Sequence, residues 1–386
     1  MKVLQVNYTD VLGHRFNGGA MATWLRGQGH EASQAVAVKR SLDGSSFKLF
    51  PDVESGFGST ITNAIGRIET AISLQSVFYP QSFLLPFSPE FRASDLVHYH
   101  IIHNHFFSYL AFPLLSRLKP TVWSLHDPWA ITGHCVHPFD CVGWKTGCSP
   151  CPHLDYPFVL RQDRASLNYN LKKISYRNSR LNLVVGSRWM KDLVEQSPLL
   201  CHFPVHHIPF GLDLNVFAPR EKANAKSEFG LFGESVVIGL RALQGPYKGY
   251  EFALAALEAL PDNLPIQILT CQSRGLFDSL REKFPVVDLG EIHGDQAMAK
   301  FFNATDIHLM PSMAESFGMM AMEAAACGVP SVVFSGSPLE EVCFAPEGGM
   351  AVSRGNVNEL TAAIVQLTVD SYRKQEMGQR ARLLAV

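Results

Sequence analysis

Residues 312–330 read Ser312-Met-Ala-Glu315-Ser-Phe-Gly318-Met-Met-Ala-Met-Glu323-Ala-Ala-Ala-Cys327-Gly328-Val-Pro330. The residues just before them, 306–311, have the length and apolar content of a buried strand, and Gly328 and Pro330 stop whatever follows Glu323. A strand over 306–311, a short loop and a helix over 317–327 are expected. That step is the repeating unit of a parallel α/β sheet. The amides of the helix's first turn, with its positive dipole end, point back at the loop and suit an anion such as a diphosphate. Glu315 sits at that mouth. Glu323 lies about two turns further on, where a carboxylate can accept from two hydroxyls of the kind a ribose offers. A plain amphipathic helix, with one glutamate capping it and the other in water, fits the same residue types.

The pattern recurs on both sides of this stretch. Downstream, 331–334 reads as a strand. Upstream, strands are expected at 236–240 and 265–271 with a helix over 250–260. In the first half, 2–8 reads as a buried strand, followed by a polar loop over 9–19, a helix over 20–26 and a strand over 34–39. Further strands are expected at 95–100, 121–125 and 181–185, with a helix over 106–118. Residues 59–72 make an amphipathic helix, and the aromatic, proline-spaced segment 77–91 reads as an insertion at the edge of the first domain. Between the halves, 208–219 is punctuated by Pro and Gly and leads into a charged run. The expected division is therefore 1–209 and 210–386, each half an α/β doubly wound domain.

A chain of 386 residues exceeds the size at which one core usually stops growing, which agrees with two domains. Hydrophobic residues at 47% and charged ones at 18% describe a folded globular protein. A net charge of −2 gives no case for a nucleic-acid partner. The charge is uneven, with 19 basic and 14 acidic residues in 1–205 and 14 against 21 in the remainder. Apolar runs such as 109–115 are too short to cross a bilayer, and 3–6 is too short for the core of a secretory signal. A cytoplasmic protein is expected.

The two glutamates, with seven residues between them, Ser-Phe-Gly after the first and Cys-Gly-Val-Pro after the second, resemble the signature of the retaining glycosyltransferases of family 4. Ile208-Pro-Phe-Gly-Leu-Asp213, with Phe217 and Pro219, is similar to that family's interdomain segment, Phe210 standing where Asn is usual. Gly186-Ser-Arg-Trp-Met190 and Gly18-Gly19-Ala20 match further stretches. The resemblance implies a GT-B fold, two facing Rossmann-like domains with a cleft between them. The first would be the acceptor side and the second would bind a nucleotide sugar. It also implies transfer of a sugar with retention to a glycan or lipid-linked acceptor in polysaccharide biosynthesis.

Residue by residue, the resemblance gives Glu315 the donor-sugar hydroxyls and Glu323 the ribose hydroxyls. The amides of Phe317, Gly318 and Met319 would hold the diphosphate, and Lys248 would neutralise it as it leaves. Arg241 is the candidate for a second cation, two positions further from Lys248 than the family pattern. Gly18 and Gly19 form the glycine loop beside the donor, and His126 faces the sugar near its 6-hydroxyl. No Asp-x-Asp motif calls for a metal, so no cofactor for catalysis is expected. The same architecture also serves nucleotide-sugar epimerases and phosphorylases. A nicotinamide enzyme is disfavoured, because 7–19 has no Gly-x-Gly-x-x-Gly.

Four of the eight cysteines crowd into one loop, 134–153: Cys135, Cys141, Cys148 and Cys151. Thiolates at this density fit a structural zinc site, with His134, His137 or His153 able to replace one ligand. Reduced or paired thiols and an iron–sulfur cluster are the alternatives. A zinc-stabilised binding protein without catalysis is the corresponding functional alternative. Phe78, Tyr79, Phe83, Leu84, Leu85, Phe87 and Phe91, with Arg161, Arg164, Lys172, Lys173, Arg177 and Arg180 further on, are the ingredients of peripheral contact with an anionic inner membrane face. Burial of the aromatics in the first core is the competing expectation.

Overall fold

A computed structural model of the chain describes residues 1–11, 18–49, 56–155, 158–231 and 233–386. They form two compact units, Met1–Gly211 and Leu212–Val386. Part of the polar loop expected at 9–19, residues 12–17, lies outside the described residues.

The first unit runs β1 (Lys2–Thr9), α1 (Gly19–Gly27), β2 (Glu31–Val38), β3 (Ser46–Lys48), α2 (Gly56–Ala71), α3 (Gln81–Leu84), α4 (Pro89–Ala93), β4 (Leu96–Tyr99), α5 (Phe112–Leu118), β5 (Thr121–Leu125), α6 (Ala165–Arg177), β6 (Asn182–Val185), α7 (Arg188–Gln196) and β7 (Val205–His207). The second runs α8 (Lys222–Glu228), β8 (Val236–Arg241), α9 (Tyr250–Glu258), β9 (Ile266–Cys271), β10 (Val286–Asp288), α10 (Asp295–Ala304), β11 (Ile307–Met310), α11 (Met319–Ala326), β12 (Ser331–Phe334), α12 (Leu339–Val342), β13 (Gly349–Val352), α13 (Val357–Val369) and α14 (Ser371–Ala385).

The first sheet is ordered β3-β2-β1-β4-β5-β6-β7 and the second β10-β9-β8-β11-β12-β13. All pairings are parallel. Counted within each unit, both sheets follow the doubly wound order 3-2-1-4-5-6, the first with a seventh strand added at its end, so the strand order reverses between β1 and β4 and again between β8 and β11. Doubly wound sheets bind ligands at the carboxyl ends beside such a reversal.

Helices cover both faces of a parallel sheet, so its central strands are apolar throughout rather than alternating. Val236, Ile238 and Leu240 of β8 enter one core with Ala253 and Leu257 of α9 and Leu360 and Ile364 of α13. Val237, one residue out of step, enters the other with Phe301, Phe302 and Ala324. α14 packs against α11 and α13 within the second unit. The first core is aromatic, with Tyr99, Phe107, Phe112, Trp123 and Tyr176 in mutual ring contact.

Two helix starts differ from the sequence expectation, each for a local reason. α11 begins at Met319 rather than 317, because Gly318 has φ +101° and cannot belong to a right-handed helix. In place of one helix over 106–118, a 3-10 turn (Tyr109–Ala111) precedes α5, which carries Pro113 in its first turn. The aromatic segment 77–91 divides between inside and outside. Val77, Tyr79, Leu85 and Phe91 are buried, whereas Phe78, Phe83, Leu84 and Phe87 are exposed. Lys172 does not belong to a solvated basic face. It is buried, donates to the carbonyls of Trp129 (2.6 Å) and Thr132 (3.0 Å), and sits over the Trp129 ring. Burial draws its ammonium down to about 7.

Candidate active site

In the second unit the loop after β8 meets the loop after β11. Met313 and Ala314 donate their amides to the carbonyl of Tyr247, at 2.8 and 3.2 Å. Gly249, at φ +63°, ends the first loop against the second. A Cβ there would lie 2.0 Å from the carbonyl oxygen of Pro311, so only glycine permits the approach. This lacing delivers Lys248 to Glu315, with Nζ 2.6 Å from Oε1. The carboxylate is nearly enclosed, its side chain 12% exposed, while that of Lys248 is 34% exposed. Arg354, which sequence reasoning missed, donates to the carbonyl of Met313 and props the same loop.

Three residues beyond Glu315, Gly318 forms the N-cap of α11, its carbonyl accepting the amides of Ala321 (2.9 Å) and Met322 (3.3 Å), so that within the helix only the amides ahead of Ala321 lack an acceptor. Phe317 is buried beside the cap. Glu323 is only 1% exposed, which excludes a water-facing glutamate at this position. Arg241 closes β8 and is exposed, its Nε donating to Gln272 Oε1 at 2.6 Å. The structure thus brings Lys248, Glu315 and the start of α11 together at the second strand reversal, and turns Arg241 toward Gln272.

The first unit places a different chemistry at its own reversal. His126 follows β5, with Nε2 3.1 Å from Nδ1 of His100, whose Nε2 lies 2.7 Å from Gln5 Oε1. Gly18, at φ +94° before α1, closes over this row, and a Cβ there would lie 2.5 Å from His100 Nε2. Gly19 opens α1 and is buried. Phe210 stacks on His126, ring centroids 5.2 Å apart and planes 13° from parallel. Burial, with His98 and His103 nearby, draws the His126 imidazole down to about 3, so it is neutral at physiological pH. Gln5 and His100 escaped the sequence reading. The signal was present in His100, a polar residue immediately after a strand next to the reversal.

Asp127 receives the amide of Trp129 and starts a 3-10 turn (Pro128–Ile131), with His103 Nε2 3.3 Å away. That turn leads into the cysteine loop. The structure gathers His134, Cys135 and Cys151 there, while Cys141 and Cys148 are held by the amides of Gly143 and Gly133.

Comparison with known proteins agrees with this architecture. Residues 234–370 match the family model described as "Glycosyl transferases group 1". The putative colanic acid biosynthesis glycosyl transferase WcaC of Escherichia coli (strain K12) is 26% identical over 284 residues, covering 69% of this chain and 65% of that protein. The chain therefore spans less than two thirds of this relative's length. Among solved structures, sucrose-phosphate synthase from Thermosynechococcus elongatus aligns over 100% of this chain and 94% of its own, with TM-score 0.68 and 15% identity. Anabaena HepE in complex with UDP-glucose aligns over the same shares, with TM-score 0.64 and 15% identity.

Two Rossmann-like units of this order are the GT-B fold. Residues 234–370, within the second unit, match the group 1 glycosyltransferase domain, and the fold of the whole chain is that of the solved glycosyltransferase structures it aligns with. No helix among the described residues is long and apolar enough to cross a membrane.

Proposed function

We propose that this chain is a retaining glycosyltransferase that moves a sugar from a nucleotide-sugar donor to a glycan or lipid-linked acceptor in polysaccharide biosynthesis. The observation that carries this reading is the Lys248–Glu315 pair at the start of α11. The ammonium and the amides of Phe317, Gly318 and Met319 face the diphosphate and stabilise the charge it gains on leaving. With Oε1 on Lys248, Glu315 presents Oε2 to a donor-sugar hydroxyl. Glu323 accepts from the ribose. Arg241 stands at the end of β8 as the second cation. His126, uncharged, hydrogen-bonds the sugar without competing for the phosphate's charge. The bond from sugar C1 to the diphosphate oxygen breaks, and a bond to the acceptor oxygen forms on the same face. The acceptor's proton passes to the leaving phosphate. Retention rests on the resemblance around Glu315 and Glu323. The name of WcaC supports polysaccharide biosynthesis, and HepE's UDP-glucose supports a nucleotide-sugar donor.

The test is incubation with a panel of nucleotide sugars and oligosaccharide or lipid-linked acceptors. Acceptor-dependent release of nucleoside diphosphate, and a product whose anomeric configuration by NMR matches the donor's, are expected. An inverted product refutes the retaining reading. Phosphorolysis or epimerisation without an acceptor favours the alternative GT-B enzymes, and failure to bind any nucleotide sugar favours a non-catalytic role.

A lipid-linked acceptor is favoured by one surface. Phe78, Phe83, Leu84 and Phe87 are exposed. Arg92 donates to the Phe87 carbonyl, and Lys119 to the carbonyls of Arg92 and Ser94, which holds two cations against the backbone at the Phe87–Ser94 end of this segment. We place this face against the anionic cytoplasmic surface of the membrane.

A further inference from the structure

The transfer reaction leaves the cysteine loop unused, and its centre is a histidine. His134 is fully buried, with Nδ1 3.1 Å from the carbonyl oxygen of Phe158. A carbonyl only accepts, so Nδ1 carries the proton and Nε2 presents its lone pair. That lone pair faces two sulfurs, Cys151 Sγ at 3.3 Å and Cys135 Sγ at 3.6 Å. The three donor atoms all lie within 4.8 Å of one another. Tetrahedral zinc, with Zn–N of about 2.0 Å and Zn–S of about 2.3 Å, requires N···S edges of roughly 3.5 Å. Both observed N···S distances, 3.3 and 3.6 Å, match that edge. The proton on Nδ1 donated to a carbonyl is also how metal-bound histidines are commonly oriented.

A fourth sulfur, that of Cys148, lies outside this group of three but is tied to the backbone beside it. Cys148 Sγ accepts the amide of Gly133 at 3.2 Å, immediately before His134 in the chain. Cys141 also stands outside the group of three, within the field of Cys135, Cys148 and Cys151, but its sulfur accepts the amide of Gly143, two residues on in its own turn, at 3.4 Å rather than one beside His134. We infer that His134, Cys135, Cys148 and Cys151 bind one zinc ion, with Cys141 outside the coordination sphere. Thiolates and imidazole are soft and borderline donors that select zinc over magnesium or calcium. Three thiolates on one zinc leave a single negative charge in a largely buried place. Metal would clasp 133–135 to 148–151 and so hold the loop entered from Asp127.

This inference stands apart from the transfer reading, and its test reads metal rather than activity. The whole chain, purified without added metal, should contain one zinc by elemental mass spectrometry. Cobalt exchanged into the site should give the intense ligand-field and thiolate charge-transfer bands of tetrahedral coordination. Cys151→Ser and His134→Gln should lose the metal, while Cys141→Ser should keep it with an unchanged melting temperature. Should the first two variants fail to fold, the cobalt spectrum of the native chain and the metal content of Cys141→Ser still decide. Absence of zinc together with failure to take up cobalt overturns the inference. So does a Cys135–Cys151 disulfide in the isolated protein, or loss of metal in Cys141→Ser with retention in His134→Gln, which would restore the all-cysteine set.

Discussion

Replacing Lys248 with alanine separates what this side chain does for the fold from what it does for the reaction. The backbone of its loop is held by the Tyr247 carbonyl and by the close approach of Gly249 to Pro311, neither of which needs the ammonium. The ion pair itself is short, at 2.6 Å, but the lysine side chain is 34% exposed, so solvent screens most of its attraction. Its net worth is about 1 kcal/mol. Leaving Glu315 nearly enclosed without its cation adds a comparable cost. A total of about 2 kcal/mol lowers the Tm of a unit this size by roughly 4–8 °C. The expected loss in catalysis is larger. Removing one preorganised group from a developing oxyanion costs about 10²–10³ in rate, or about 2.7–4 kcal/mol.

The assay is steady-state kinetics with the cognate donor, well below the variant's Tm, beside a circular-dichroism melt. The rate loss should appear in kcat, because in the proposed transfer the charge on the diphosphate grows as it leaves. Lys248→Arg should restore it only in part, since a forked guanidinium cannot occupy a point charge's place on both the carboxylate and the phosphate. Glu315→Gln combined with Lys248→Ala should recover stability relative to the single lysine variant but not rate. Wild-type turnover in Lys248→Ala would refute the reasoning, as would a double variant that recovers both together. Either result would make the lysine a partner of Glu315 and nothing more.

Two further outcomes are expected. Asp306 accepts from Lys222 Nζ (2.9 Å) and the Val237 amide (2.9 Å) and pairs with Lys226 (2.6 Å), and although burial raises its carboxyl, these partners hold it below the ordinary 3.8. The unfolded chain therefore binds its proton first as pH falls, so stability present above pH 3.8 is lost on acidification below it; Asp306→Asn should cost about 3 kcal/mol at neutral pH in urea titrations and flatten that acid limb, and an unchanged limb would refute the assignment. Separately, the chain should sediment with anionic vesicles at low salt and leave them as salt rises. Leu84→Ser with Phe87→Ser should weaken the binding, and indifference to both salt and substitution would remove the membrane face.

Much of the fold could be read because parallel sheets bury both faces of their strands. The runs at 2–8, 121–125, 236–240 and 331–334 are apolar enough to be recognised alone. The short strands β3, β7, β10 and β13 could not be, since Ser46–Lys48 and Val205–His207 carry no such run and take extended form from the neighbour they pair with. α6 shows the reverse case, a signal present and overlooked. Ala165, Tyr169 and Tyr176 are its buried face, and Lys172 falls on that face by the same 3.6-residue period. Its charge suggested a solvated surface, whereas its position, with two carbonyls and a ring to receive the ammonium, decided otherwise.

The site was legible in part for a related reason. Glu315, Gly318 and Glu323 lie on one strand–loop–helix step, so their relation is local. Lys248 and Glu315 are 67 residues apart, and what joins them is the pairing of β8 with β11, Ile238 beside Ile307 and Gly239 beside His308. Gln5, His100 and His126 are joined in the same way through β1, β4 and β5. Each set stands where its sheet reverses order, yet the two differ in charge. The first is a buried row of an amide and imidazoles, with His126 held neutral, and suits hydroxyl groups. The second pairs an ammonium with a carboxylate at a helix mouth and suits a phosphate joined to a sugar. The topology repeats, but the electrostatics do not. Under the proposed transfer, charge at the two reversals, more than shape, assigns the leaving diphosphate to the second unit.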